Sequence, residues 1–256
     1  MLWSMKDIKK YKILAEDGEI GNVHEFLFDD ELWIIRYLVV DIGGWLSDRK
    51  ILIAPVALGH PDQESQKLPV KLSKAQIKDS PDINTNQPIS RQHENSLREH
   101  YNWPYLDELG GGLFEEEHIG MDSDSLIEML RAREKTLQNG GQTQAPDPHL
   151  QSSREVSGYH IIAQDGDIGH IEDFVVNTDT WAIRYLVIDT GNWLPGRKVV
   201  ISPFWIEEIK WAGSEAQINL SKETIKNSPE YDPEKLAQQE YEQKLFNYYG
   251  RPKPRT

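Results

Sequence analysis

The run IRYLVVDIGGWLSDRKILIAP, beginning at Ile35, returns at Ile183 as IRYLVIDTGNWLPGRKVVISP. Aligned at an offset of about 148 residues the two halves match without a gap, and about 30 of some 80 positions are identical between 4–83 and 152–231. Asp17-Gly18-Glu19-Ile20-Gly21 falls on Asp165-Gly166-Asp167-Ile168-Gly169, and Leu72-Ser73-Lys74 on Leu220-Ser221-Lys222. The register persists into Leu97, Tyr101 and Pro104 against Leu245, Tyr249 and Pro252. A chain built this way folds as one unit used twice, so any fold it adopts has to suit both copies.

Each copy reads as a series of short strands. Tyr11 to Ala15 and Ile20 to Phe28 flank Asp-Gly, a strong hairpin signal. Trp33 to Ile42 is β-branched and aromatic on both faces, interrupted only at Arg36 and Asp41, which predicts a central strand covered on both sides. Lys50 to Ile53 returns from a Gly43-Gly44 loop and stops at Pro55. In the second copy Ile206 to Trp211 and Gln217 to Leu220 form a last hairpin; His60-Pro61-Asp62 makes the first copy looser there. About six short strands at this spacing predict a small, closed or nearly closed antiparallel barrel.

Helices follow each barrel. Ser73 and Ser221 are N-caps of single turns stopped by Pro81 and Pro229. Asp232-Pro233 opens a helix whose apolar stripe runs Ala237, Tyr241, Leu245, Tyr249, and Ser90 opens an equivalent with His93, Leu97 and Tyr101. Ser125-x-x-Glu128 is a capping box for a short helix to about Leu137, and Asn139 to Pro148 has the composition of a flexible linker. The expected division is a first barrel over 1–83, an acidic connector over 84–151 containing the linker 139–148, a second barrel over 152–231, and a C-terminal helix and tail over 232–256. The fold class is mainly β.

Charge narrows the function. The net charge is −14, which opposes a phosphate-binding footprint. Residues 84–151 carry about 12 acidic and about 5 basic side chains, half of the whole excess, and read as a solvated connector or as a receiver for a basic partner. There is no cysteine, which excludes disulfides and thiolate chemistry and fits the cytoplasm. The N-terminal MLWSMKDIKK lacks an apolar signal-peptide core, and no apolar run reaches membrane-spanning length.

The duplication also tests for chemistry. Between the two copies the identical polar positions are read as Asp17/Asp165, Arg36/Arg184, Asp41/Asp189, Arg49/Arg197 and Lys50/Lys198, with the serines and lysines of the short helix, and neither a histidine nor a glutamate is read as recurring. One carboxylate with a cation is not a proton-transfer pair. Asp41 with Arg49, and Asp189 with Arg197, are therefore read as hairpin-neck residues, the carboxylate accepting loop N–H groups or pairing with the arginine. Arg36, if buried, requires a carboxylate or carbonyl partner. Trp45-Leu46 and Trp193-Leu194, in the loop tips, are read either as surface contact anchors or as plugs of the barrel mouth. Glu115-Glu116-Glu117-His118 stands without a second Glu-x-x-His and reads as a solvated acidic turn. Gly110-Gly111-Gly112 is followed by acids, the wrong electrostatics for phosphate. Neither catalytic residues, nor metal ligands, nor a cofactor site are expected.

DGEIG followed by WIIRYLVVDIGGWLSDRKILIAP resembles the PRC-barrel family, and each half carries the pattern. HENSLREHYNWPY and EYEQKLFNYYGRP resemble the helix that follows the barrel in stand-alone two-copy members. The family is known from the cytoplasmic part of the photosynthetic reaction-centre H subunit and from the C-terminal domain of a ribosome-maturation factor. The transmembrane helix of the former and the N-terminal domain of the latter have no counterpart in this sequence. The resemblance implies a docking or assembly module, and the expectation is a non-enzymatic cytoplasmic interaction protein whose two barrels pack as a pseudo-dimer or self-associate. The alternatives are a ribosome or RNA-processing accessory that binds a basic protein rather than nucleic acid, and an electron-transfer accessory docking peripherally at a membrane.

Overall fold

The computed structural model of the chain describes residues 1–43, 49–81, 89, 91–104, 132, 147–191, 196–236 and 238–249. The chain forms two compact units. The N-terminal unit comprises Asp7–Ser152 with Asp179–Trp181; the C-terminal unit comprises Met1–Lys6, Ser153–Thr178 and Ala182–Thr256.

In the N-terminal unit, β2 (Lys12–Ala15) and β3 (Gly18–Asp29) form the Asp-Gly hairpin, followed by β4 (Ile34–Asp41), β5 (Lys50–Ile53), a 3-10 turn at Pro55–Ala57 and β6 (Lys67–Pro69). The hydrogen-bonded order is β5-β4-β3-β2-β6, antiparallel except for the parallel β2-β6 pair. The bridge between Leu58 and Val70 brings the chain leaving β5 back beside β6, so the sheet curls almost shut. Helices α2 (Lys74–Lys78) and α3 (Arg91–Tyr101) follow, and β7 (Leu150–Ser152) pairs with the end of β3.

The C-terminal unit repeats the plan with β8 (His160–Ala163), β9 (Gly166–Asn177), β10 (Ala182–Asp189), β11 (Lys198–Ile201), β12 (Ile206–Lys210) and β13 (Glu215–Ile218) in the order β11-β10-β9-β8-β13-β12. The end strands β11 and β12 are joined by the 3-10 turn Pro203–Trp205. Helices α5 (Lys222–Lys226), α6 (Pro233–Leu236) and α7 (Gln239–Tyr248) complete it, and β1 (Leu2–Ser4) pairs with the end of β9. Short helices α1 (Met5–Ile8) and α4 (Ser153–Val156) follow β1 and β7.

The mainly β class and the strand-then-helix plan of both halves agree with the sequence reading. β4 is buried along nearly its whole length because both of its faces are covered. Leu38 and Val40 point into the barrel core, while Tyr37 and Val39 join Leu27, Leu52 and Leu97 of α3 in a second apolar layer. Gly21 is demanded by packing: a Cβ there would lie 1.9 Å from the Asp41 carbonyl oxygen. At Gly169 it would lie 2.0 Å from the Asp189 carbonyl oxygen, and φ is +125°. The repeated glycine of the Asp-Gly-x-Ile-Gly motif is thus where β4 or β10 crosses closest to the preceding hairpin.

Three local expectations change. Trp33 lies outside β4: it takes a left-handed φ of 53°, as Trp181 does at 58°, and stacks on Phe28 with ring centroids 5.3 Å apart. The C-terminal helix is two helices, because Gln238 is extended (φ −86°, ψ 127°) and caps α7; the four-residue spacing of apolar side chains runs straight across the break. The linker expected over 139–148 ends in a fixed residue, since Asp147 is buried. The helix expected over 125–137 lies outside the described residues apart from Ala132, which is helical.

Candidate functional site

The hairpin neck is built from short-range bonds. Asp41 Oδ1 accepts the Gly43 N–H at 2.8 Å, and Asp189 Oδ1 the Gly191 N–H at 2.7 Å, tight turns that start each loop. The arginines reach elsewhere. Arg49 Nη1 donates to the Lys78 carbonyl at 2.5 Å and Nη2 to that of Ser80; Arg197 does the same to Lys226, also at 2.5 Å, and to Ser228. These carbonyls lie at the C-terminal ends of α2 and α5, where a cation complements the helix dipole. At the other end, Asp17 accepts the Lys74 N–H at 2.8 Å and Asp165 the Lys222 N–H at 2.7 Å, beside the Ser73 and Ser221 caps. The recurrent Asp and Arg positions therefore clamp one short helix at both ends, in both copies.

The second constellation is buried. Arg36, in the middle of β4, donates from Nη2 to Glu94 Oε1 and from Nη1 to Asp147 Oδ2, each at 2.6 Å, with Asp29 Oδ2 at 3.7 Å. Its charge is kept in spite of burial, which alone would lower its pKa; Glu94, Tyr37, Asp147 and Asp29 together hold it above the ordinary value. The Tyr37 hydroxyl is raised by burial and by Glu94. In the C-terminal unit Arg184 Nη2 meets Glu242 Oε1 at 3.1 Å, and the Tyr185 hydroxyl donates to the same oxygen at 2.6 Å. Glu94 and Glu242 correspond at the repeat offset. This corrects the sequence reading that no glutamate recurs: one does, in the trailing helix, and it ties that helix to the central strand in each copy. Comparing the helices position by position reveals it; nothing in the composition around Asp147 marks that residue as a buried partner.

A third pair of carboxylates sits on the long strands. Asp173 accepts the Ser4 hydroxyl at 2.5 Å and the Lys6 N–H at 3.2 Å, and Glu25 accepts the Ser152 hydroxyl. Burial raises the Asp173 pKa, against the pull of Ser4, Phe174 N–H and Lys6 N–H. Near it Glu172 lies between Lys6 and Lys198, at 2.8 Å and 2.7 Å.

Asp41, Arg49, Asp189 and Arg197 are placed by the structure. Trp45, Leu46, Trp193 and Leu194 lie outside the described residues. Among the described residues no group of His, Asp or Glu side chains is arranged to hold a metal ion, and no helix is long and apolar enough to cross a membrane. The chemistry legible here is hydrogen bonding and ion pairing between parts of the chain itself.

Residues 150–224 match the family model of the PRC-barrel domain. An uncharacterized protein of Deinococcus radiodurans is 35% identical over 74 residues, which cover 29% of this chain and 26% of that protein. The match thus extends over about a quarter of the length of that curated relative. The chain carries a PRC-barrel domain in its second half, and the matched window opens on β7.

Proposed function

We propose that the chain is a two-copy PRC-barrel protein, its first half a second barrel of the same kind, and that it works as a non-enzymatic docking module for a basic protein in the cytoplasm. The observation that carries this reading is the fate of the recurrent polar residues. Asp17, Asp41 and Arg49, with their twins Asp165, Asp189 and Arg197, bond to backbone groups of their own unit. Arg36 and Arg184 are consumed in internal ion pairs. What the duplication retains beyond this framework is the Trp-Leu pair of each loop, the residue type from which interface anchors are drawn. The choice of a basic partner follows from the net charge of −14 and its concentration in the connector.

The test is a pull-down with the tagged full chain, with and without nuclease, in parallel with Trp45→Ala/Trp193→Ala. The expected result is a basic protein retained after nuclease, released as salt is raised, and reduced at least tenfold by the double substitution. Retention that vanishes with nuclease would assign the binding to RNA and sink the reading; so would retention indifferent to both salt and the tryptophans.

A further inference from the structure

The matched domain begins with β7, yet β7 completes the sheet of the other unit. The equivalent strand of the first repeat does the reciprocal thing. Leu2, Trp3 and Ser4 face Asn177, Val176 and Val175 of β9, and Leu150, Gln151 and Ser152 face Asp29, Phe28 and Leu27 of β3. Leu2 and Leu150, Ser4 and Ser152, Asn177 and Asp29 all correspond at the repeat offset. The flanking bonds correspond as well: Thr178 N–H donates to the Met1 carbonyl at 2.9 Å and Asp30 N–H to the His149 carbonyl at 3.1 Å. So do the latches, Ser4 on Asp173 and Ser152 on Glu25.

The slot exists because the long strands are bent. β3 and β9 each run twelve residues, pair over their first part with β2 or β8, and carry register shifts against β4 or β10. Past the bend the strand edge is left for a short Leu-x-Ser segment, and a buried carboxylate waits for the serine hydroxyl. In both copies that segment comes from the other repeat.

We infer that the slot on β9 is a strand-addition site whose occupant can be the β1 segment of a second copy of this chain, so that two chains trade residues 1–6 and form a strand-exchanged dimer. Every bond made in trans is the bond already made in cis; only the effective concentration of the segment differs. Covalent attachment to its own chain is taken to supply β1 at an effective concentration of about 1 mM, so exchange grows as the protein itself approaches about 1 mM and is negligible about a hundredfold below. The occupant is specified by the latch: an aliphatic residue, any residue, then a hydroxyl, followed by a backbone N–H free to meet Asp173.

The absence of cysteine makes disulfide trapping clean. One full-length chain carries Leu2→Cys and a tag; an untagged chain carries Asn177→Cys, the residue facing it in register. The two are refolded together at about 1 mM and at about 10 µM, oxidised, and separated without reductant. Expected is a tagged–untagged disulfide dimer, at least tenfold more abundant at the higher concentration and reduced severalfold by Ser4→Ala in the tagged chain. A control chain with Glu208→Cys, out of register, sets the background. A dimer yield no higher than that background overturns the inference, provided the single chain bearing both Leu2→Cys and Asn177→Cys closes its bond internally. Failure of that internal bond overturns it too, since the register itself would then be wrong.

Discussion

Arg36 and Asp173 show how much buried charge this fold carries for structural ends. Arg36 is 7% exposed and faces Glu94, Asp147 and Asp29, themselves buried, so the arginine is what makes their burial tolerable. Arg36→Met keeps the volume and strands the carboxylates. It is expected to cost about 3–5 kcal/mol in urea unfolding. Arg184→Met, which releases only Glu242 at a more open site, is expected to cost less. An equal loss at both positions would refute the role given to Asp147 and Asp29. Asp173 makes the opposite case, because burial raises its pKa above the unfolded value. The folded state then takes up the proton first as pH falls. Stabilisation by proton uptake is complete below the unfolded value near 3.9 and is lost as pH rises through the raised folded value. Asp173→Asn, isosteric and still able to accept from Ser4, removes that dependence. The wild-type chain should gain stability relative to this variant as urea titrations move from pH 7 toward pH 4; a constant difference across that range would exclude Asp173 as its source.

Among the elements, β4 and β10 impose the tightest steric demand. A Cβ on Gly21 would overlap the Asp41 carbonyl oxygen, and backbone cannot yield as a side chain does. Gly21→Ala is therefore expected to cost more than 2 kcal/mol, above the roughly 1 kcal/mol by which alanine ordinarily favours or disfavours a site relative to glycine. Gly59→Ala, whose Cβ would meet the edge of the Pro69 ring at 3.0 Å, provides the milder comparison, and chemical denaturation of the two variants orders them. The hairpin was legible in the sequence, since Asp-Gly-x-Ile-Gly appears in both copies; the steric demand at its last glycine comes from the structure. The strands, the Ser73 and Ser221 caps and the covered central strand were legible for the same reason: each is decided by residues within a few positions of one another. The break at Gln238 was not, because a helical spacing of apolar residues survives a one-turn interruption. Nor was the left-handed Trp33, a conformation bulky residues seldom take and no pattern predicts. Asp147 was hidden by its neighbours, whose composition reads as linker; its partner is 111 positions away.

For the whole molecule, the offset of about 148 residues announces two copies but says nothing of which copy completes which sheet. A three-residue strand is too short to declare its partner, and the exchange of β1 and β7 emerges only from register. That exchange makes a prediction about a nicked chain. A specific protease site placed in the NGGQTQA stretch, 139–145, divides the covalent chain so that one fragment keeps β1 and the other keeps β7. Each fragment still owns the strand that completes the other fragment's sheet, and Asp147 still reaches Arg36. The cut chain is expected to elute with the intact protein in native size-exclusion chromatography and to separate only in denaturant. Ser4→Ala combined with Ser152→Ala removes both latches and should lower the denaturant needed for separation, while leaving the uncut protein the same size. Fragments that part in buffer alone would mean that the exchanged strands do not hold the two fragments together. The cut chain thus measures the strand exchange directly, without assuming anything about the partner.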